Sequence, residues 1–227
     1  MSTPTDRPDR RLVIGVAAVV LLLMGACDGG EDAPAPDQQT ASAPEEDTDA
    51  TEVATRFLEA FAAFDVDQAE TYLADDATIA SMSANDDLRL LISYLEATGY
   101  EQILDPCEEV GDSVSGTNVR CPFAFNGLRS GELGLGPYTG SAFDLVVRDG
   151  AIVRASQGWE TEEFSPQVWE PFAEWVSTAY PEDAAVMYTG GFSGAQLTEE
   201  SIRLWERHSR EYVEEVGRRT EGAETSP

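Results

Sequence analysis

The chain has 227 residues, of which 43 are Asp or Glu and 14 are Arg, and its formal net charge is −29 at pH 7. This charge excludes the positive surface with which proteins bind the phosphates of nucleic acids. Because the chain contains no Lys, chemistry that needs a lysine amine is excluded as well. A single histidine excludes a metal site built from several imidazoles, and we expect no metal ion and no cofactor. A hydrophobic content of 42% is that of a folded domain.

Residues 1–26 resemble a bacterial lipoprotein signal peptide. Three arginines precede an unbroken apolar run over residues 12–24. As a helix this run is about 20 Å long, too short for a hydrocarbon core of about 30 Å. Two small residues then stand directly before Cys27. The resemblance implies that Cys27 is lipidated and anchors an extracytoplasmic protein to the bacterial cell membrane. An ordinary secretory signal and a short uncleaved anchor are the alternatives.

Residues 27–51 are predicted to form an acidic, disordered tether. After the cysteine they contain no aromatic residue and no aliphatic residue larger than Ala. Such a segment cannot bury enough apolar surface to offset the entropy of ordering it. The folded part is expected over residues 52–217, and the polar tail over residues 218–227 is expected to be disordered.

Three apolar stripes at helical spacing predict three N-terminal helices. The first contains Phe57, and the second begins at Asp65. Asp75 and Asp76 are expected to end this second helix. The third is expected to stop at Gly99, since glycine readily adopts the left-handed conformation that ends a helix.

Apolar residues then recur at every second position, which is typical of strands with one buried face. The alternation covers residues 119–125 and 143–147, and Asp149-Gly150 predicts a two-residue hairpin turn after the second run. Two further helices are predicted over residues 171–179 and from Thr198 onward. The fold class is therefore α+β, with three N-terminal helices packed on a curved antiparallel sheet and a C-terminal helical extension.

The helical run 56–61, the run 74–79 and the hairpin at 147–152 resemble the NTF2-like superfamily. This superfamily includes nuclear transport factor 2, the SnoaL-type cyclases and ketosteroid isomerase. The resemblance implies a cone-shaped domain over residues 52–163. Residues 164–217 resemble a helical extension packed on that domain in some secreted bacterial members. The resemblance is also compatible with a homodimer through the sheet.

The two catalytic positions of the isomerase are changed in this chain. Phe57 stands where the resemblance expects a tyrosine that donates a hydrogen bond, and Ser81 stands where it expects an aspartate base. Phenylalanine has no donor, and a serine hydroxyl is no base without an activating partner. We therefore expect a non-catalytic domain that binds a small apolar ligand or a protein partner. The alternative is a small SnoaL-type enzyme that uses a carboxylate in its cavity.

A set of aromatic side chains is expected either to line or to fill the cavity of such a cone. Its members are Phe57, Phe61, Tyr72, Tyr94, Phe123, Phe125, Phe143 and Trp159.

Cys107 and Cys121 are predicted to form a disulfide, because an exported protein meets an oxidising environment. A hairpin centred on Val114 places the two cysteines opposite each other, within bonding reach. The same register places Pro106 opposite Pro122, where ladder hydrogen bonds would be lost, so a bulge or a one-residue offset is an alternative. Two buried free thiols are the other alternative.

The remaining residues with reactive or aromatic side chains are interpreted as structural. His208 lies beside the apolar stripe of the last helix, among charged residues, and is expected on the solvated surface. Trp159, Trp169, Trp175 and Trp205 are expected in the core rather than in a ligand cage.

The lipid anchor can be tested by changing Cys27. In its bacterial host the mature protein should partition into the detergent phase, and Cys27→Ser should abolish this partition. Two acyl chains, at about 0.8 kcal/mol for each buried methylene, hold a protein in a membrane far better than an acidic chain alone. Recovery of wild-type protein without lipid, cleaved at another residue, would contradict the assignment.

Overall fold

The structure, a computed structural model, describes residues 49–80, 87–189 and 194–224. The α-helices within these residues are α1 Ala50–Ala62, α2 Val66–Glu70, α3 Leu88–Ala97, α4 Glu170–Ala179, α5 Pro181–Met187 and α6 Glu199–Glu224. The strands are β1 Leu73–Ala80, β2 Glu101–Leu104, β3 Glu108–Ser113, β4 Gly116–Asn126, β5 Tyr138–Arg148, β6 Ala151–Gly158, β7 Tyr188–Thr189 and β8 Gly194–Ala195. The signal peptide, Cys27, most of the tether and Ser81 lie outside the described residues. No helix in these three ranges has the length and apolarity needed to span a bilayer.

The α+β fold class is confirmed. The main sheet has the strand order β1-β6-β5-β4-β2, and β3 pairs with β4 next to β2. The expected antiparallel meander holds from β2 to β6, and Asp149-Gly150 forms the predicted turn between β5 and β6. One strand differs from the prediction, because β1 pairs with β6 in parallel and makes the sheet mixed. A parallel pair needs a long connection, and the segment from α3 to β5 supplies it.

Asp75 and Asp76 do not end helix α2, as the sequence predicted, but belong to strand β1. The ladder between β1 and β6 is irregular between Leu73 and Thr78, so both aspartates fall where regular pairing is interrupted. Both are exposed to solvent. An acidic pair is tolerated there because it neither enters the core nor interrupts a regular ladder.

The core lies between helix α1 and the inner face of the sheet. Phe57 and Phe61 face the strands from α1, and the Phe61 ring lies 5.6 Å from that of Phe143. Phe143 in turn lies 4.6 Å from Phe123 on the neighbouring strand. All four rings are buried, and each contributes about 1.5–3 kcal/mol through the removal of apolar surface from water. The space under α1 is therefore filled.

A disulfide joins Cys107 and Cys121, in agreement with the sequence prediction. The ladder pairs Leu104 with Phe123 and Glu108 with Arg120, so the register shifts by one residue between β2 and β3. Pro106 lies in this shift, and it is Asp105 whose N–H donates to the carbonyl of Pro122 (2.9 Å). The two prolines therefore do not form a ladder pair. The one-residue offset, which the sequence analysis gave as an alternative, is the register that the structure has.

A second irregularity lies closer to the turn of this hairpin. Glu109 pairs with Val119 and Gly111 with Asn118, so Val110 is an extra residue in the ladder. The pair Ser113 and Gly116 then closes a turn at Val114-Ser115.

The C-terminal extension begins with a π-helical turn at Ser165–Trp169 and continues through α4, α5 and α6. Thr198 caps α6 as predicted, because its hydroxyl accepts a hydrogen bond from the N–H of Ser201 (3.0 Å). The helix continues to Glu224, beyond residue 217 where the folded part was expected to end. Its last turns are rich in Glu and Arg, which favour a helix even without a buried face.

His208 is buried, so the prediction of a solvated histidine is wrong. Its Nδ1 lies 3.0 Å from a carboxylate oxygen of Glu211, and its Nε2 lies 2.9 Å from one of Asp183. The imidazole also packs on Tyr180, with the ring centroids 4.3 Å apart. The histidine therefore connects α6 to α5 through both a ring contact and a carboxylate.

The disulfide should contribute measurably to stability. In a Cys27→Ser background, replacing Cys107 and Cys121 by Ala should lower the free energy of unfolding by about 3 kcal/mol, because the bridge closes a loop with a sequence separation of 14. Urea unfolding followed by circular dichroism measures this loss. A reducing agent should reproduce it in the parent protein and leave the double variant unchanged; equal stabilities would disprove the contribution.

His208→Ala should lower the free energy of unfolding by about 1–3 kcal/mol, since it removes a packed ring and its contacts with the carboxylates of Asp183 and Glu211. The control is Arg210→Ala on the same helix, which breaks only an exposed ion pair with Glu206. Such pairs contribute less than about 1 kcal/mol. If the two variants unfolded at the same urea concentration, His208 would not hold α5 and α6 together.

Candidate ligand-binding cavity

A cavity of about 640 Å³ lies where helix α3, the inner face of the sheet and the C-terminal extension meet. It is lined by Leu91, Tyr94, Leu95, Thr98, Tyr100, Phe125, Gly127, Leu128, Trp159, Thr161, Phe164, Ser165, Trp169, Thr189, Gly194, Ala195 and Leu197. Every one of these residues is uncharged. The cavity is therefore an apolar, strongly aromatic site with a few hydroxyl groups.

Helix α3 forms one wall. The spacing of Leu91, Tyr94, Leu95 and Thr98 places their side chains on one face of the helix. Asp87 fixes where the helix begins, because its carboxylate accepts a hydrogen bond from the N–H of Leu90 (3.1 Å). The cap therefore also fixes the rotation at which this face meets the cavity.

Gly99 ends α3, as the sequence predicted, and turns the chain into β2. Its φ of +63° is a conformation that residues with a side chain seldom adopt. A Cβ at this position would lie 2.9 Å from Cγ of Arg129. The glycine is thus required both for the turn and for the close approach of Arg129, and it places Tyr100 against the cavity.

The sheet forms the second wall through aromatic rings. Trp159, just beyond the end of β6, contacts Phe125 edge to face, with the ring centroids 4.7 Å apart. Tyr100 meets the same indole at 5.7 Å in a similar geometry. Phe164, at the beginning of the extension, lies 5.3 Å from Phe125. Edge-to-face pairs are favourable beyond their burial, by about 0.5–1.5 kcal/mol each, so this wall is well ordered.

The extension closes the third side through Trp169, which is supported from behind by Trp205. The two indoles stack at 5.6 Å, and Trp205 also contacts Tyr94 of α3 at 5.4 Å. Trp205 has no exposed surface. It therefore holds two opposite walls of the cavity in place from a position in the core.

Three of the aromatic side chains considered from the sequence line this cavity: Tyr94, Phe125 and Trp159. Phe57, Phe61, Phe123 and Phe143 instead belong to the core under α1, where they fill the space between helix and sheet. Tyr72 lies before β1, half-buried against the core and outside the lining. The large phenylalanines of α1 and of the central strands touch each other, and the cavity therefore lies beside them.

Among the lining residues that sequence reasoning missed are Tyr100, Phe164, Trp169 and Leu197. Three of these lie in the extension, which was interpreted as packing on the domain without contributing to its cavity. Trp169 was placed in the core. A signal was present, because the segment from Trp159 to Trp169 carries three large aromatic residues outside any predicted helix.

The described lining has no group that would act as an acid or base near neutral pH. Burial raises the pKa of Tyr94 and that of Tyr100 well above the ordinary value for tyrosine, so both phenols stay protonated. No carboxylate, histidine or cysteine belongs to the lining. In residues 49–80, 87–189 and 194–224, no three His, Cys, Asp or Glu side chains are grouped so that they could hold a metal ion.

Of the two positions compared with the isomerase, Phe57 is buried in α1 and Ser81 lies outside the described residues. The Phe57 ring lies 6.3 Å from that of Phe61 and offers no polar atom. The alternative bases considered from the sequence, Asp75 and Asp76, are exposed on β1 and outside the lining. The described residues thus do not assemble that isomerase site.

Solved structures similar to this chain were found, whereas no family model and no curated protein matches it. An NTF2-like protein of unknown function from Cytophaga hutchinsonii is 12% identical, with 50% of this chain and 91% of that chain covered and a TM-score of 0.37. A proposed polyketide cyclase from Sinorhizobium meliloti is 17% identical, with 47% and 94% covered and a TM-score of 0.37. Another from Silicibacter is 16% identical, with 52% and 93% covered and a TM-score of 0.39.

The fold of the chain is NTF2-like. The order of helices and strands and the curved mixed sheet described above carry this statement. No ligand or reaction is transferred to this chain from the similar structures. The NTF2-like cone of this chain differs from the cone expected from the sequence in one respect, because its cavity opens between the cone and the extension.

Proposed function

We propose that this protein binds a small apolar ligand without catalysis, from a lipid-anchored position outside the bacterial cell membrane. The observation that carries the proposal is the uncharged, aromatic lining of the cavity. Its volume of about 640 Å³ lies within the range of roughly 300–1,000 Å³ that small-molecule sites occupy. Burial of apolar surface is therefore the main source of binding free energy at this site.

The charge of the protein supports a neutral ligand. The net charge of −29 repels anions, and no Arg belongs to the described lining to compensate. A cation would lose its hydration in a site that offers no carboxylate, which is strongly unfavourable. Ligands of either charge are thus disfavoured, while neutral apolar molecules are not.

The alternative, a SnoaL-type enzyme with a cavity carboxylate, finds less support. General acid–base catalysis needs a group within hydrogen-bond reach of the reacting atom whose pKa lies near the working pH. The described lining offers phenols that stay protonated and aliphatic hydroxyls, of which those of Thr98, Ser165 and Thr189 already donate hydrogen bonds within the protein. These groups can hold a ligand, but they do not abstract a proton from it.

The location outside the membrane rests on the resemblance of residues 1–26 to a lipoprotein signal peptide. A tether of the predicted composition would hold the acidic domain away from a lipid surface that repels it. The domain would then meet ligands that partition between membrane and water. A protein partner and a homodimer through the sheet remain predictions.

Binding can be tested with phenylnaphthylamine, a neutral probe that fluoresces strongly in apolar sites. The wild type should bind it saturably, and Thr161→Trp should weaken the affinity by about tenfold, since the added indole occupies cavity volume. Thr161 suits this test because it lies exposed at the rim and its backbone hydrogen bond to Ser165 is retained.

The matched control is Thr178→Trp, which adds the same side chain to an exposed position on α4 outside the lining. It should bind the probe like the wild type. The proposed function would be refuted by a wild type that shows no saturable binding, or by equal affinities for Thr161→Trp and Thr178→Trp.

A further inference from the structure

We propose that Leu128 limits the size of the ligand that the cavity accepts, and that the side chain of Arg129 holds Leu128 in that position. This inference deepens the proposed function and rests on it. It makes Leu128 a specificity-determining residue, which selects a compact apolar ligand over a bulkier one of the same polarity.

Leu128 and Arg129 are the two central residues of a tight turn that follows β4. A hydrogen bond from the N–H of Ser130 to the carbonyl of Gly127 (3.0 Å) closes this turn. Both central residues are left-handed, with a φ of +49° at Leu128 and of +59° at Arg129. A turn with two left-handed central residues strongly favours glycine, asparagine or aspartate, because a larger side chain crowds the backbone there. Leucine and arginine are therefore strained in this turn, and contacts of their side chains must offset the strain.

The side chain of Leu128 is buried and lines the cavity. Gly127 lines the cavity as well, and a Cβ on this glycine would lie 3.2 Å from the ring of Phe164. The end of β4 thus leaves little room for a side chain at residue 127, and Leu128 is the first residue beyond it whose side chain occupies space at the cavity. Ligand atoms that extend past this point meet the leucine.

Arg129 connects the turn to α6 and to the end of α3. Its Nε donates to the hydroxyl of Ser209 on α6 (3.4 Å), and its Nη1 lies 2.6 Å from a carboxylate oxygen of Glu132. Its aliphatic stem lies over Gly99, where a Cβ would come within 2.9 Å of it. Only 12% of the Arg129 side chain is exposed. The arginine is therefore held from three sides, and the turn that carries Leu128 is held with it.

The strain distinguishes Leu128 from the other leucines of the cavity. Leu91 and Leu95 belong to the regular helix α3, and among the described lining residues that carry a side chain Leu128 is the one with a left-handed backbone. Such conformations persist only where the surroundings hold them, and they are concentrated at sites that clamp a ligand. An Asn-Gly pair would close the same turn without strain, but it would neither fill the cavity nor reach α6. The geometry thus indicates that the two side chains are used at the site.

The test compares two neutral fluorescent probes of different size, phenylnaphthylamine and the larger Nile red. Both dissociation constants are measured by titration of the full chain and of Leu128→Ala. We expect Leu128→Ala to tighten the binding of Nile red by about five- to tenfold, because the shorter side chain leaves space for it, and to leave phenylnaphthylamine within about twofold. Leu128→Gly should give the same gain, and since glycine is unstrained in this turn, it replaces Leu128→Ala if that variant does not fold.

The role of Arg129 is tested through the ratio of the two dissociation constants. Arg129→Ala should shift this ratio in the same direction as Leu128→Ala, because the leucine is then no longer held. In the Leu128→Ala background the same change should leave the ratio unaltered. A residue that only stabilised the fold would not produce this difference between the two backgrounds.

Ile103→Ala is the matched control, since Ile103 is an exposed aliphatic residue outside the lining and its truncation should leave both constants unchanged. Equal effects of Leu128→Ala on the two probes, or no gain for Nile red, would overturn the size limit while binding in the cavity stands. An Arg129→Ala shift that is missing, or that persists in the Leu128→Ala background, would overturn the positioning role of Arg129. Failure of phenylnaphthylamine to bind the wild type would overturn the inference together with the proposed function.

Discussion

The contact of Trp205 with Tyr94 is the interaction on which the site depends. Trp205 belongs to the last helix and Tyr94 to the helix before β2, so this edge-to-face pair joins the extension to the NTF2-like cone. The same indole stacks on Trp169 and on Phe172. Without this cluster the extension would have no fixed position against α3, and the third wall of the cavity would be missing.

The position of the cavity follows from how the two parts are filled. Phenylalanines that touch each other pack the core between α1 and the sheet, and the cavity lies beside them. The seam with the extension is built from large aromatic rings, some stacked and some edge to face, and the cavity lies among them. Charged side chains are costly to bury between the cone and the extension. This explains why the lining is neutral in so acidic a protein.

Regular patterns in the sequence were sufficient to predict the helices and strands. They were not sufficient to predict the long-range contacts between them. The alternation at residues 119–125 predicted β4, and Gly99 predicted the end of α3, because each depends on local geometry alone. His208 was misjudged from its charged neighbours, although its spacing of three residues from Trp205 places it on the same helix face. Whether Phe61 lines a cavity or fills the core depends on Phe143, far along the chain, and no local pattern reports that contact.

The offset at Pro106 has a consequence for solubility. The outer edge of the sheet is formed by β2 and β3, and it is interrupted by a residue without an N–H and again by the bulge at Val110. Acidic side chains, Glu108 and Asp112 among them, follow this edge. A second chain that tried to add a strand here would find no continuous row of hydrogen-bonding groups, so the interrupted ladder opposes edge-to-edge aggregation at an edge that also exposes Ile103 and Val110.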